Sequence, residues 1–397
     1  MRARINYPYK FKLKPSSHQE NLLRQVGGST RWIYNHYLAT RKVRSVSAWC
    51  RDLTQLKKST PWLQAVPSQT LQQKIKDLHT AWDRFFKHQS GKPKLKSKNK
   101  QTDSFRFPQR FKLANNRVFL PKLGWYKFYK SREVRGTIKS VTVKQQSDGW
   151  YVIFLTEQEI DINLQKPKAI GLDLGIETFC TLSDGTKFES LNPLKKYLKK
   201  LRKESRKLSR KKKKSKSRAK QRLRLARVHK KVANLRNDYL HKISTYLAKN
   251  HSLVCTEDLN IKGMAKNRKL ARAISDQGWS KFLSMLKYKC YWYGSRLVKV
   301  DRWFASSKTC SECGCIKKDL ALKDRTYHCS DCGLELDRDF NAALNILNKG
   351  TGGQSETSSL KLVKACGDYV RPTSPSGRQS LKQEPIRACT SLTRARD

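Results

Sequence analysis

Residues 168–191 read KAIGLDLGIETFCTLSDGTKFESL. Ile170 to Leu172 are an apolar run too short for a helix, and they end on an acid, Asp173. Gly175 then bends the chain, TFCTL makes a second apolar run, and Ser183-Asp184-Gly185 is a turn before a third. Short apolar runs bounded by turn residues predict three strands. A carboxylate at the end of a buried strand is where α/β sheets usually carry a site.

Two further acids are placed in the same way. Residues 252–257 (SLVCTE) predict an apolar strand ending on Glu257, and Asp339 opens the helix predicted for DFNAALNILNK. Three carboxylates suit a hard divalent cation such as Mg²⁺, which needs few protein oxygens and keeps its waters. Two such ions about 4 Å apart activate a water and stabilise a leaving oxygen in phosphodiester hydrolysis. Each acid also has an ordinary reading. Asp173 could belong to a turn, Glu257 beside Asp258 could face solvent, and Asp339 could be only a helix cap.

Between Glu257 and Asp339 lies a second constellation. Cys310-x-x-Cys313 and Cys329-x-x-Cys332 are separated by fifteen residues, in the settings CSECG and CSDCG. Paired cysteines at this spacing, each pair followed by a glycine, are the ligand set of a closed structural Zn²⁺ ribbon. Cys315 and His328 are spare donors nearby and read as bystanders.

Working outward, residues 4–14 (RINYPYKFKLK) alternate in polarity and predict a strand. Residues 17–42 and 47–88 predict helix, broken near Pro61 and Pro67, with Leu71, Ile75, Leu78, Trp82 and Phe86 on one stripe. Residues 90–102 read as a basic loop, and alternation returns from 104 to 160. This order fits a β-barrel interrupted by a helical insertion. Its Tyr, Phe and Trp residues are either barrel core or stacking faces for bases. Residues 195–236 carry 22 Lys or Arg against the single acid Glu204, with leucines and valines that make part of the stretch helical. Residues 278–294 predict a helix and 296–301 a strand. Residues 351–397 are rich in Ser, Thr and Gly, have no periodicity and are expected to be disordered.

Composition narrows the partners. The 397 residues hold 86 Lys plus Arg against 31 Asp plus Glu, a formal net charge of +55. Charge of that size calls for a polyanion, and the phosphate backbone is the one that fits. There is no amphipathic anchor, no signal-peptide core and no apolar run long enough to span a bilayer, so no membrane partner is expected. Eleven cysteines, four of them in tight pairs, suit metal binding in a reducing compartment better than a disulfide framework. The expectation is a soluble, cytoplasmic protein.

The order GLDLGIETFCTLSDG, then CTEDLNIKGM, then SSKTCSECG and CSDCGLELDRDFNAALNIL resembles the TnpB (OrfB) proteins of bacterial and archaeal transposons, which are similar to the type V CRISPR effector nucleases. YKFKLKPSSHQENLL, RWIYNHYL and GWSKFLSMLKYKCYWYGSRLVKVDRWFASSKTC add to the resemblance, which covers roughly 1–350. It implies a multidomain α+β chain: a RuvC-like RNase H fold with an inserted zinc ribbon, plus a wedge β-barrel carrying a helical recognition insertion. The implied divisions are a wedge at 1–16 and 103–165 and a recognition insertion at 17–102. The nuclease domain follows at 166–304 and 335–350, with the ribbon, which meets target nucleic acid, at 305–334. The tail is 351–397.

The resemblance also implies an activity: RNA-guided DNA cleavage beside a short motif that the protein reads, with the guide RNA from the transposon end and double-stranded DNA as target. By motif, Asp173, Glu257 and Asp339 are the implied catalytic acids and ligands of two Mg²⁺ ions. Cys310, Cys313, Cys329 and Cys332 are the zinc ligands, and Asp337, the first acid of DRDFNAA, is not carried over. Cys255 stands where apolar residues are common. The rivals are a transposase or accessory protein acting on DNA ends, a non-cleaving guided repressor, and a generic RNA-binding protein. The three acids argue against the last two. Cut positions, target-adjacent motif and oligomeric state have no signature in the sequence.

Overall fold

The structure, a computed structural model, describes residues 2–40, 45–98, 102–162, 166, 168–317, 319–321 and 324–352. The predicted disordered tail, beyond 352, and residues 99–101 of the basic loop lie outside the described residues.

The N-terminal half is built on β1 (Arg2–Lys12), α1 (Ser17–Ala39), α2 (Val46–Ser59), α3 (Pro61–Gln64) and α4 (Ser68–Phe86). It continues with β2 (Ser104–Phe107), β3 (Lys112–Ala114), β4 (Arg117–Leu120), β5 (Gly124–Lys127), β6 (Thr137–Gln146) and β7 (Gly149–Asp161). Chain order matches the sequence expectation. The strands form a four-stranded antiparallel sheet, β1-β7-β6-β2, and a three-stranded sheet, β3-β4-β5, linked by a bridge between Leu13 and Phe128. Register runs from Arg2 opposite Asp161 to Lys12 opposite Tyr151, so Tyr9 and Phe11 share an inner face with Val152 and Phe154.

The breaks in the helical block follow its prolines. Pro61 opens α3 at a position where a missing N–H costs nothing, and Pro67 flanks the start of α4. Ser16 and Gln19 close a capping box on α1. The apolar stripe of α4 buries Leu71, Ile75, Leu78 and Trp82 into one core with the sheets, but the fifth expected member, Phe86, is exposed. It sits at the last residue of the helix, where its ring meets only the neighbouring helix aromatics among the ring contacts of the described residues, Trp82 at 5.7 Å and Phe85 at 5.5 Å. Most aromatics of the strands are core, among them Phe105, Phe107, Tyr126, Trp150 and Phe154, while Trp125 and Tyr129 are exposed.

The C-terminal half contains β8 (Ile170–Asp173), β9 (Thr178–Leu182), β10 (Lys187–Glu189), α5 (Pro193–Ser209), α6 (Lys216–Asn250) and β11 (Leu253–Glu257). Then come α7 (Ile261–Met264), α8 (Ala271–Gln277), α9 (Trp279–Tyr293), β12 (Arg296–Val300), β13 (Thr326–His328), β14 (Glu335–Asp337) and α10 (Arg338–Gly350). The five-stranded sheet has the order β10-β9-β8-β11-β12, with β8, β11 and β12 parallel and β9 antiparallel to β8. Alternation assigns its faces. Ile170, Leu172 and Val254 pack with Leu240, Leu247, Phe282 and Leu286 of α6 and α9. Cys255 and Val300 pack on the other face with Ile346 of α10. No helix among the described residues is long and apolar enough to cross a membrane.

The basic stretch is a helical hairpin, α5 and α6. Its first helix has no side-chain cap of its own: Asn192 adopts a left-handed conformation and its side chain bonds no helix amide. Asp276 of α8 supplies the cap instead. Its carboxylate accepts from the Leu194 and Lys195 amides at 2.9–3.1 Å and from the Arg236 guanidinium at 2.7 Å.

Candidate nuclease and metal centre

Three parallel strands end at one sheet edge. Cα partners Cys255–Gly171 and Thr256–Leu172 bring Glu257 level with Asp173, and Glu257 is paired with Val300. Adjacent strands lie about 4.8 Å apart. Asp173 shares its face with Gly171, and Glu257 with Cys255, so both acids point to the side that α10 covers. The helix brings Asp339 to them in its first turn.

The capping question is settled by geometry. Asp337, not Asp339, is the N-cap: its side chain accepts from the Asp339 and Phe340 amides at 3.1 and 3.0 Å, and its second oxygen pairs with Lys187 at 2.9 Å. Asp339 is thereby free of the cap and half-buried, with one guanidinium contact, Arg338 at 3.2 Å. Asp258 likewise takes the solvent-facing role that Glu257 could have had. It pairs with Lys299 at 2.7 Å and Arg302 at 2.9 Å.

The three acids feel one another. Burial, then the charges of Glu257 and Asp339, push the Asp173 carboxyl up to about 8, and Arg338 opposes them. Carboxylates crowded in a place that disfavours their charge are a donor set that a hard cation would relieve. They are not drawn in as tightly as the sulfur site described below. Glu257 accepts a hydrogen bond from the Ser306 hydroxyl, which orients it. Ser306 has no signature of its own in the sequence beyond its place just before the first cysteine pair.

That segment is tied to α10. Asn345 donates to the carbonyls of Ser306 and Thr309 at 2.8 and 2.6 Å, and Asn341 donates to Thr309 at 2.8 Å and accepts from the Ser311 amide at 3.0 Å. Both asparagines are buried. They stand two and six residues beyond Asp339 and look in sequence like ordinary polar interruptions of a helix.

Cys310, Cys313, Cys329 and Cys332 do converge. Their sulfurs all lie within 4.8 Å of one another, the one His, Cys, Asp or Glu cluster of this kind among the described residues. Two sulfur pairs, Cys310–Cys332 and Cys313–Cys329, stand 3.6 Å apart. That is far from a disulfide and close to the edge of about 3.8 Å that a tetrahedron with 2.3 Å Zn–S bonds requires. Gly314 and Gly333 follow the pairs with φ of 77° and 74°, so the two knuckles turn alike. The donor chemistry fits a structural zinc. Cys315 and His328 stay outside the cluster, as expected.

Residues 153–268 match the OrfB family of IS605 type, described as a probable transposase. Residues 279–346 match the Cas12f1-like TNB domain, and residues 1–45 match a helix-turn-helix domain, although the described part of that segment is β1 followed by the single helix α1. A relative from Escherichia coli (strain K12), carrying the name "Putative RNA-guided DNA endonuclease InsQ", is 37% identical across 95% of this chain and 96% of its own. One from Streptomyces pristinaespiralis, similarly named, is 36% identical across 99% of this chain and 100% of its own. Among solved structures, a Cas12f1–sgRNA–target DNA complex aligns over 87% of this chain and 99% of that chain, with 18% identity and a TM-score of 0.36.

Proposed function

The chain belongs to the TnpB (OrfB) family, and from that premise we propose that it is an RNA-guided DNA endonuclease whose cutting site is Asp173, Glu257 and Asp339. One observation carries the reading: three acids from two parallel strand ends and a helix start face one another, and the neighbouring acids Asp258 and Asp337 are occupied elsewhere. The sheet order β10-β9-β8-β11-β12 with β9 reversed supports a RuvC-like RNase H fold.

Two Mg²⁺ ions bound there would acidify the attacking water and stabilise the leaving 3′ oxygen. The chain's part is to hold the carboxylates ready. Asp173 and Glu257 are positioned by strand register, Asp339 by the first turn of α10, and Ser306 fixes the Glu257 carboxylate. α10, through Asn341 and Asn345, holds the start of the cysteine ribbon, the segment that presents Ser306.

On this reading 1–16 and 103–165 are the wedge and 17–102 the recognition insertion. Residues 166–304 and 335–350 form the nuclease domain, and 305–334 the ribbon that meets target nucleic acid. The guide RNA, from the transposon end, lies along the wedge and the α5–α6 hairpin, whose excess of Lys and Arg offsets its phosphates. The displaced DNA strand enters the site.

The test is cleavage of a plasmid target by the purified protein with its copurifying RNA. Asp173→Ala, Glu257→Gln and Asp339→Asn each abolish Mg²⁺-dependent cutting and keep guided binding. Asp337→Ala loses a helix cap, costing about 1 kcal/mol of stability, and the half-exposed pair with Lys187, which adds little, and still cuts. RNA-free protein that joins DNA ends would make it a transposase, and guided binding without nicking by the wild type would make it a repressor.

A further inference from the structure

Trp303 is 86% exposed, more than any other large apolar residue among the described residues. Indoles are rarely left so fully in water. Its neighbour Phe304 does what an aromatic normally does and packs with Val300, Cys255 and Ile346. Two consecutive aromatic residues are therefore split, one into the core and one out of it.

The exposed indole is held on a rigid mount. The Asp301 carboxylate accepts from the Trp303 amide at 3.1 Å, and the Asp301 carbonyl accepts from the Phe304 amide at 3.2 Å. Arg302 binds both the carbonyl and the carboxylate of Asp258, which also binds Lys299. The turn is thus fastened to the residue that follows Glu257. It leaves β12 at the sheet edge where Asp173 and Glu257 end their strands, since Val300 is in register with Glu257. Three residues further on is Ser306, hydrogen-bonded to Glu257. Three residues span at most about 10 Å, which is the reach of one or two nucleotides. Around the turn stand the cations Lys299, Arg302 and, over the Phe304 ring, Lys349, against the carboxylates of Asp258 and Asp301.

We propose that Trp303 is a stacking platform for a base of the single DNA strand that the three-carboxylate site cuts, and that it sets the register in which the strand enters. This rests on the nuclease reading above. An indole face accepts any base, which suits a site where sequence is chosen by a guide. Arg302 and Lys299 meet the backbone beside the stacked base. Trp303 is a positioning residue: it touches the strand and not the reacting atoms.

The experiment uses the full protein with its copurifying RNA and, as probe, a short oligothymidylate carrying one 2-aminopurine, in Ca²⁺ so that binding is read without cutting. Trp303→Ala weakens probe binding about 5- to 100-fold, the range of one stacked base, and loses 2-aminopurine quenching. Trp303→Phe restores most of both. Equal binding and quenching in wild type and Trp303→Ala would overturn the proposal. So would a Trp303→Ala variant that retains less RNA, which would make the indole an RNA contact, or one whose oligomeric state alone changes. Target cleavage by the wild type is measured in parallel. Cutting by the wild type with unaltered probe binding in the variant fails only the Trp303 proposal, whereas absence of cutting by the wild type fails the nuclease reading.

Discussion

Gly171 on β8 lies against Ala343 on α10 so closely that a Cβ on the glycine would strike the Ala343 carbonyl oxygen and stand 2.8 Å from the Leu347 amide nitrogen. The contact aims the site. Asp173 is two residues past Gly171 on the same strand face, and Asp339 is four residues before Ala343 on the same helix face. Gly350 repeats the device at the C-terminal end of α10, where a Cβ would collide with the Cys255 sulfur. The helix is seated on glycine at its middle and at its C-terminal end, and the two acids are opposed as a result.

Gly171→Ala therefore separates α10 from β8. The expected cost is about 1–3 kcal/mol, the usual penalty for forcing atoms into a packed core, with target cutting reduced further than stability alone explains. Urea unfolding and cleavage assays on the same preparation measure both. Gly91→Ala, at a site with nothing within 4 Å, is the matched control and should change neither. If Gly171→Ala behaves like the control, the glycine does not set the helix position.

Zinc removal makes a second prediction. One zinc per chain should be released when the thiols are titrated with a mercurial in the presence of a chromogenic chelator. Losing it frees the knuckles, then Thr309 and Ser306, which Asn341 and Asn345 hold to α10. Protease sensitivity should rise first at 305–334, and cutting should fall as Glu257 loses its hydroxyl partner. Protein that keeps its cutting after complete zinc loss would uncouple ribbon and site.

Strands, helices and the four-cysteine cluster were legible in the sequence because each has a local signature: period two, period 3.6, or a fixed cysteine spacing. The acid trio was legible as three suitable positions, but its selection depended on partners. Asp337 and Asp339 are two residues apart in similar contexts; the family motif separated them, and the direction of the helix amides gives the physical reason, with Asp337 as the cap. Gly171 looked like any strand glycine, because the atom that excludes a side chain there belongs to a helix 172 positions later. Asp276 had no signal at all. It sits in the run ISDQG, and the amides it caps are 82 and 81 residues earlier.

Asp276 is the third test. The carboxylate is buried, and its partners are two helix amides and Arg236. Asp276→Ala strands a guanidinium in a poorly solvated place and uncaps α5, so a loss of about 3–5 kcal/mol is expected. Since α5 begins the basic hairpin, trypsin should then cut sooner in the turn between α5 and α6, and less RNA should copurify. An Asp276→Ala protein with wild-type stability and RNA content would show that the hairpin docks by other contacts.

Lys289 gives a pH prediction whose sign can be worked out. The amine is buried and donates to the His241 carbonyl, Ser244 and Thr245. Burial pulls its pKa down from the ordinary lysine value to about 8. Below pH 8 the amine is protonated in the folded and unfolded chain alike. Between about 8 and 10.5 the unfolded chain holds a proton that the folded chain has released, so this group makes the fold more stable as pH rises. The gain can reach about 3 kcal/mol over the window. His241, which faces Lys289 and is itself held low by burial, titrates below this window and does not disturb it. Urea unfolding of the wild type and Lys289→Met at pH 8 and pH 10 reads the effect as a difference between two proteins that share every other titrating group. The wild type should gain on the variant as pH rises. Parallel pH dependences would mean that the folded amine keeps its proton, held by its three oxygen partners against the cost of burial.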